Sequence, residues 1–137
     1  MRVLLDTNIL LDFSLKRTPF FEAAKNVFSG NSLKYCDLFI TSISISNFHY
    51  IASKVVGKTK SLAFLKDLTS ICDVSVCNKH TIQLAITSKF SDFEDAIQYF
   101  SALADSLDVI ITRNEKDFKH AAGIEIINPT AFVRKYL

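Results

Sequence analysis

Several things are scarce in this chain, and each scarcity excludes something. Among 137 residues there are three glycines, two prolines, one methionine and no tryptophan. Gly30, Gly57 and Gly123 stand far apart, so no GxGxxG turn exists to cradle a dinucleotide. The three cysteines, Cys36, Cys72 and Cys77, are odd in number and form no CxxC pair. That argues against a disulfide framework or a zinc ribbon and for buried reduced thiols. No apolar run approaches the ~18 residues of a membrane-spanning helix. Neither charge sign dominates: the net charge is +2, too small for bulk electrostatic capture of nucleic acid. The first residues hold one arginine and then Asp6, unlike a secretory leader. A cytosolic protein without membrane contact is expected.

What is present suits one domain over residues 1–137. Hydrophobic residues make up 49% and charged residues 22%, ample for a sizeable core and too apolar for disorder. Val3-Leu4-Leu5 is a short run of the kind buried on both faces of a parallel sheet. Leu38–Thr41, Val74–Val76, Val109–Ile111 and Ile124–Ile127 read as further strands. Between them lie helical patterns. One runs from Ile9 to Leu15, and one from Phe20 to a stop at Gly30-Asn31. Another follows Ser42, with Ile45, Phe48, Ala52, Val55 and Val56 on one face and an end at Gly57. One opening at Thr59 turns Leu62, Leu65, Leu68 and Cys72 inward, and one capped by Asn78 carries Ile82, Ala85, Ile86 and Phe90. The strongest periodicity follows Ser91: Phe93, Ala96, Ile97, Phe100, Leu103, Ala104 and Leu107. Pro129 suits the first turn of a final helix. Alternating strands and helices predict an α/β/α sandwich with a mainly parallel sheet of four to five strands.

In such a sheet the carboxyl ends of the strands share one edge, where ligands bind. The first strand ends at Asp6-Thr7-Asn8, the second at Thr41-Ser42 with Asn47 just beyond, and the fourth at Thr112-Arg113-Asn114 with Asp117 close behind. The helix after Ser91 adds Asp92, Glu94 and Asp95. Ser91-x-x-Glu94 also reads as a capping box, and Asp92 as a complement to the helix dipole. Asp95 sits at the margin of the buried stripe, and three carboxylates within four residues repel one another more than a cap requires. A bound cation would relieve that repulsion. Mg²⁺ and Mn²⁺ prefer such oxygen ligands. Ions of this kind derive a nucleophile from water near neutral pH and stabilise a leaving oxygen. No Ser, Cys or His nucleophile is then needed, and His49, His80 and His120 are scattered.

Three stretches carry a resemblance: Leu4–Asn8, Asp92–Gln98 and Ile110–Phe118. Their ordered set resembles the successive motifs of PIN domains across nearly the whole chain. Arg17-Thr18-Pro19-Phe20 and Asn128-Pro129-x-x-Phe132 are similar to one bacterial branch. The resemblance implies an Mg²⁺- or Mn²⁺-dependent ribonuclease, commonly a dimeric toxin held inactive by a small antitoxin. It implies Asp6, Asp95 and Asp117 as metal ligands, and Thr112 as the hydroxyl residue that orders the site. Two positions depart from the family pattern. Asn47 stands where a glutamate is usual and Asn114 where many members have aspartate, which removes negative charge from the site.

Three readings follow. The first is a metal-dependent ribonuclease in which Asp6, Asp95, Asp117 and Asp92 bind the ion. Asn8, Asn47, Thr112 and Asn114 then position ligands, water or phosphate, and Arg17, Arg113 and Lys116 contact the RNA backbone. The second is a non-catalytic module of the same fold that binds RNA or a protein, favoured by Asn47 and Asn114. The third is a phosphatase with Asp6 as covalent nucleophile. It is disfavoured because such enzymes typically carry a second aspartate where this chain has Asn8.

Overall fold

The computed structural model describes residues 1–137. Five strands form one sheet: β1 (Arg2–Leu5), β2 (Asp37–Thr41), β3 (Asp73–Ser75), β4 (Val109–Ile111) and β5 (Glu125–Ile127). Their order is β3-β2-β1-β4-β5 and every pairing is parallel. Parallel neighbours need crossovers, and seven helices supply and flank them. These are α1 (Thr7–Ser14), α2 (Phe21–Ser32), α3 (Ser42–Val56), α4 (Lys58–Ile71), α5 (Lys79–Ile86), α6 (Phe93–Ala104) and α7 (Pro129–Tyr136). The expected α/β/α sandwich is the observed one.

The apolar runs are buried on both faces because alternate residues point to opposite sides. Val3, Leu5, Leu38, Ile40, Val109 and Ile111 join the larger core, which includes Leu10, Phe28, Phe48, Leu68 and Phe132. Leu4, Phe39 and Ile110 face the other way, against Tyr99, Ala102, Leu107 and Phe118.

Several expectations are corrected. Helix α1 starts at Thr7, not Ile9, because Asp6 is already extended at its N-cap. Helix α2 runs through Gly30 to Ser32 instead of stopping there. Gly30 is a place of close approach: a Cβ there would lie 2.9 Å from the Leu137 side chain. Helix α4 opens at Lys58, directly after Gly57, a residue before Thr59. Strand β3 ends at Ser75, so Val76 lies outside it, and β5 begins at Glu125, after Ile124. Helix α5 ends at Ile86, before Phe90. Several apolar residues placed on inward faces are exposed: Val55, Leu62, Ile82, Ile86, Phe93 and Leu103. Ala104 is exposed as well. In α4 the face is rotated so that Ser61 and Leu68 are buried.

Helix α4 offers a direct check. Leu68 is 1% exposed and Leu62 is 47% exposed on the same helix. Leu68→Ala should cost about 2–5 kcal/mol. Leu62→Ala should fall within about 0.5 kcal/mol of wild type. Urea unfolding of the two variants measures the difference. Equal losses would show that the face is wrongly assigned.

Candidate metal centre

Strand β1 connects through α1 and α2 to β2 on one side, while β4 pairs on its other side. The sheet therefore reverses its winding between β1 and β4. The crevice outside the carboxyl ends at such a reversal is the ligand site of open α/β sheets. Asp6 leaves β1 and Thr112 leaves β4 at that point, and their side chains meet across it.

Asp6 is 6% exposed. It occupies the N-cap position of α1 yet makes no side-chain cap hydrogen bond. Its carboxylate is committed elsewhere. Thr112 Oγ1 donates to Oδ2 at 2.8 Å, and Gln98 Nε2 donates to Oδ1 at 3.2 Å. The Thr112 hydroxyl is itself fixed by accepting the Asn114 N–H at 3.0 Å. The Gln98 amide must turn its nitrogen toward Asp6, since two acceptors would repel. Its oxygen is buried without a hydrogen-bond partner. Burial raises the Asp6 pKa, and the Thr112 and Gln98 hydrogen bonds oppose that rise.

Helix α6 brings in the other acids. Its N-cap is Asp92, whose Oδ1 accepts the Asp95 N–H at 3.1 Å. This corrects Ser91 as the cap and also the Ser91–Glu94 capping box. Glu94 instead accepts the Thr7 hydroxyl at 2.9 Å, tying the first turns of α1 and α6 together. Asp95 and Gln98 are three residues apart and so lie on one helix face. Burial pushes Asp95 up to about 7, and the charges of Asp6, Asp92, Asp117 and Glu94 push in the same direction. Acids from β1, α6 and the 3-10 turn at Glu115–Phe118 thus share one field.

The remaining candidates divide. Asn114 enters through its backbone contact with Thr112, and its side chain is exposed. Asn47 is half-buried in α3 and Asn8 half-buried in α1, but neither hydrogen-bonds Asp6. Lys116 is exposed on the 3-10 turn. Arg17 and Arg113 turn to a residue that sequence reasoning passed over. Asp12 is fully buried, with Arg17 at 3.7 Å from Oδ1 and Arg113 at 3.4 Å from Oδ2. The signal was there: Asp12 is the one charged residue in α1, amid Ile9-Leu10-Leu11 and Phe13. A charge in such a helix requires partners. Gln98 carried a similar signal, as a polar residue inside the buried stripe of α6.

The donor chemistry fits a hard divalent cation. The acids supply oxygen ligands, and their mutual repulsion at Asp95 is what a bound cation would relieve. No group of three His, Cys, Asp or Glu side chains stands ready to hold a metal ion. Mg²⁺ does not require one, since it keeps several waters and takes one or two carboxylates.

Comparison with known proteins agrees with this fold. A sequence model of the PIN domain family matches residues 2–116. Among solved structures, VapBC2 from Rickettsia felis bound to a promoter DNA fragment is similar at TM-score 0.73 and 19% identity, covering 93% of this chain and 98% of that one. DNA-bound VapBC from Salmonella typhimurium is similar at 0.70 and 22%, covering 94% and 98%. Mycobacterium tuberculosis VapC20, described as a sarcin-ricin loop cleaving toxin, is similar at 0.65 and 9%, covering 79% and 86%. Comparison with curated proteins gives no match.

The Asp95 shift has a signed consequence. Its folded pKa of about 7 lies above the ordinary carboxylate value of 3.8, so the acid form is the one the fold prefers. This contribution to stability is complete below about pH 4 and is lost as pH rises through about 7. In chelator, Asp95→Asn should therefore raise the Tm at pH 8 by roughly 2–4 °C and leave it little changed at pH 4. The gain is modest because water screens a half-exposed carboxylate. Thermal melts at the two pH values check this, and an equal effect at both would remove the electrostatic cause.

Proposed function

This chain belongs to the PIN domain family, and from that premise we propose that it is a metal-dependent ribonuclease that hydrolyses RNA phosphodiester bonds. The observation that carries the reading is the gathering of acids beside the switch point of the sheet, where burial first, and then the charges of Asp6, Asp92, Asp117 and Glu94, push the Asp95 pKa up to about 7. A fold without a cation to bind gains nothing from that repulsion.

Asp6, Asp95 and Asp117 would hold Mg²⁺ or Mn²⁺, assisted by Asp92. When bound, the ion supplies Lewis acidity and a nucleophile drawn from water. The chain's own residues prepare the place. Thr112 and Gln98 fix the Asp6 carboxylate with neutral donors, which orient it without cancelling its charge. Asp92 fixes the start of α6 and so the height of Asp95. Asn8, Asn47 and Asn114 supply neutral oxygens and amides for water or phosphate. Lys116, exposed on the 3-10 turn, would contact the RNA backbone, and Arg17 and Arg113 would add positive charge at the rim beyond their pairing with Asp12. The VapBC complexes among the similar structures support a toxin role with a small antitoxin partner. The sarcin-ricin loop cleavage ascribed to VapC20 supports RNA as substrate. A homodimer in the cytoplasm completes the proposal.

A second reading has its own support. Asn47 and Asn114 lower the negative charge of the site, which favours a PIN module that binds RNA or a protein without cutting.

Purified protein should cleave single-stranded RNA with Mg²⁺ or Mn²⁺, and Asp6→Ala or Asp95→Ala should abolish this. Thr112→Val, which removes a donor from Asp6, should weaken Mn²⁺ binding about 10–100-fold. Asn47→Glu should strengthen it. Cleavage that persists in Asp6→Ala with excess chelator rules out the metal mechanism. Ion binding without cleavage of any RNA selects the second reading.

A further inference from the structure

A cleft of about 290 Å³ is lined in part by Pro19, Phe20, Arg113, Glu115, Asn128 and Pro129. Arg113 directly follows Thr112, the donor to Asp6, so the cleft wall is one residue from the centre described above. Three features give this cleft a chemistry. The first is a stacked pair: the Arg113 guanidinium carbon lies 4.0 Å from the centroid of the Phe20 ring. Phe20 is nevertheless 42% exposed, so much of the ring is open. The second is charge pairing. Asp12, fully buried and without a hydrogen bond, lies 3.4 Å from Arg113 Nε, so the guanidinium stands between a carboxylate and an aromatic ring. The third is a directional acceptor. Glu115 Oε1 accepts the Asn128 amide at 2.7 Å, which orients the carboxylate and leaves its other oxygen without a side-chain donor. Asn128 is in turn held by accepting the Ala131 N–H at 2.9 Å as the cap of α7.

We propose that this cleft binds one unpaired base of the RNA, stacked on the Phe20–Arg113 pair and read by Glu115. This rests on RNA being the ligand of the neighbouring centre. An aromatic and guanidinium surface accepts the π-face of any base. The carboxylate adds selection, because it only accepts hydrogen bonds. Cytosine, adenine and guanine present an amino group to it. Uracil presents carbonyl oxygens on either side of its one N–H, and these repel a carboxylate. In single-stranded RNA that edge of the base is free to be read. Asp12 is a positioning residue here: without it Arg113 would lose the buried counter-charge that draws it toward Phe20. The same pairing explains why Arg113 is better suited to stacking than to following a mobile phosphate.

NMR titration of the full chain with CMP, AMP, GMP and UMP tests this without any cleavage step. CMP, AMP and GMP should shift the Arg113 Nε–H and Phe20 ring resonances, with Kd values about tenfold lower than UMP. Phe20→Leu should weaken all four nucleotides about tenfold, the usual scale for one lost stacking contact. Glu115→Ala should equalise them, and Asp12→Asn should weaken stacking while preserving the preference. Shifts confined to the Asp6 and Asp95 region overturn the proposal. So does a preference unchanged by Glu115→Ala, or a cleft that answers only to an added peptide. RNA cleavage that proceeds with unaltered base preference in Phe20→Leu and Glu115→Ala removes the cleft while leaving the nuclease. Nucleotide shifts in the cleft of a chain that cuts no RNA do the reverse.

Discussion

The site depends on one buried charge. Asp6 ends the central strand where the sheet reverses its winding, and it has little contact with water. A carboxylate in that place is costly unless its oxygens are hydrogen-bonded. Thr112 from the end of β4 and Gln98 from α6 meet that requirement. The same two bonds fasten three elements to one edge of the sheet. Local folding and the candidate chemistry are therefore coupled through a single side chain. Asp6 cannot be satisfied unless β1, β4 and α6 are in place, and once they are, Asp95 is brought into its field.

Two aspartates near the start of the chain are treated in opposite ways, and the contrast separates their roles. Asp12 is buried against two guanidinium groups, which offset its charge. Asp6 is held by a neutral hydroxyl and a neutral amide, which fix its direction and leave its charge in force. Only the second treatment leaves a field that attracts a cation. Asp12 instead pairs with the arginines, one of which, Arg113, lies over the Phe20 ring. Charge at the edge of this sheet is thus divided between an acidic centre and a paired, partly neutralised basic rim.

The elements show where local pattern sufficed. Strand runs such as Val3-Leu4-Leu5 and Val109-Ile110-Ile111 are buried on both faces, so every residue in them had to be apolar. That is visible without a fold. Helix faces were harder. Leu62, Ile82, Ile86 and Phe93 have helical spacing but lie exposed, because α4, α5 and α6 each bury only part of their apolar surface. Periodicity reports that a stripe exists; neighbours decide which side of it is covered. Caps misled for a related reason. Ser91 and Asp92 are both competent N-caps; Asp92 takes the position, and Glu94 accepts from Thr7 instead of completing a capping box.

By itself the sequence determined the parallel α/β architecture, and it offered Asp6, Asp92, Asp95 and Asp117 as candidate ligands. It did so because burial patterns and carboxylate clusters are local in the chain and leave local traces. The partnerships were decided only in three dimensions. Gln98 with Asp6, Thr7 with Glu94, and Asp12 with Arg113 join residues 92, 87 and 101 positions apart. A buried polar residue shows that it needs a partner, but which one it meets depends on how the strands are ordered and which helix crosses above them.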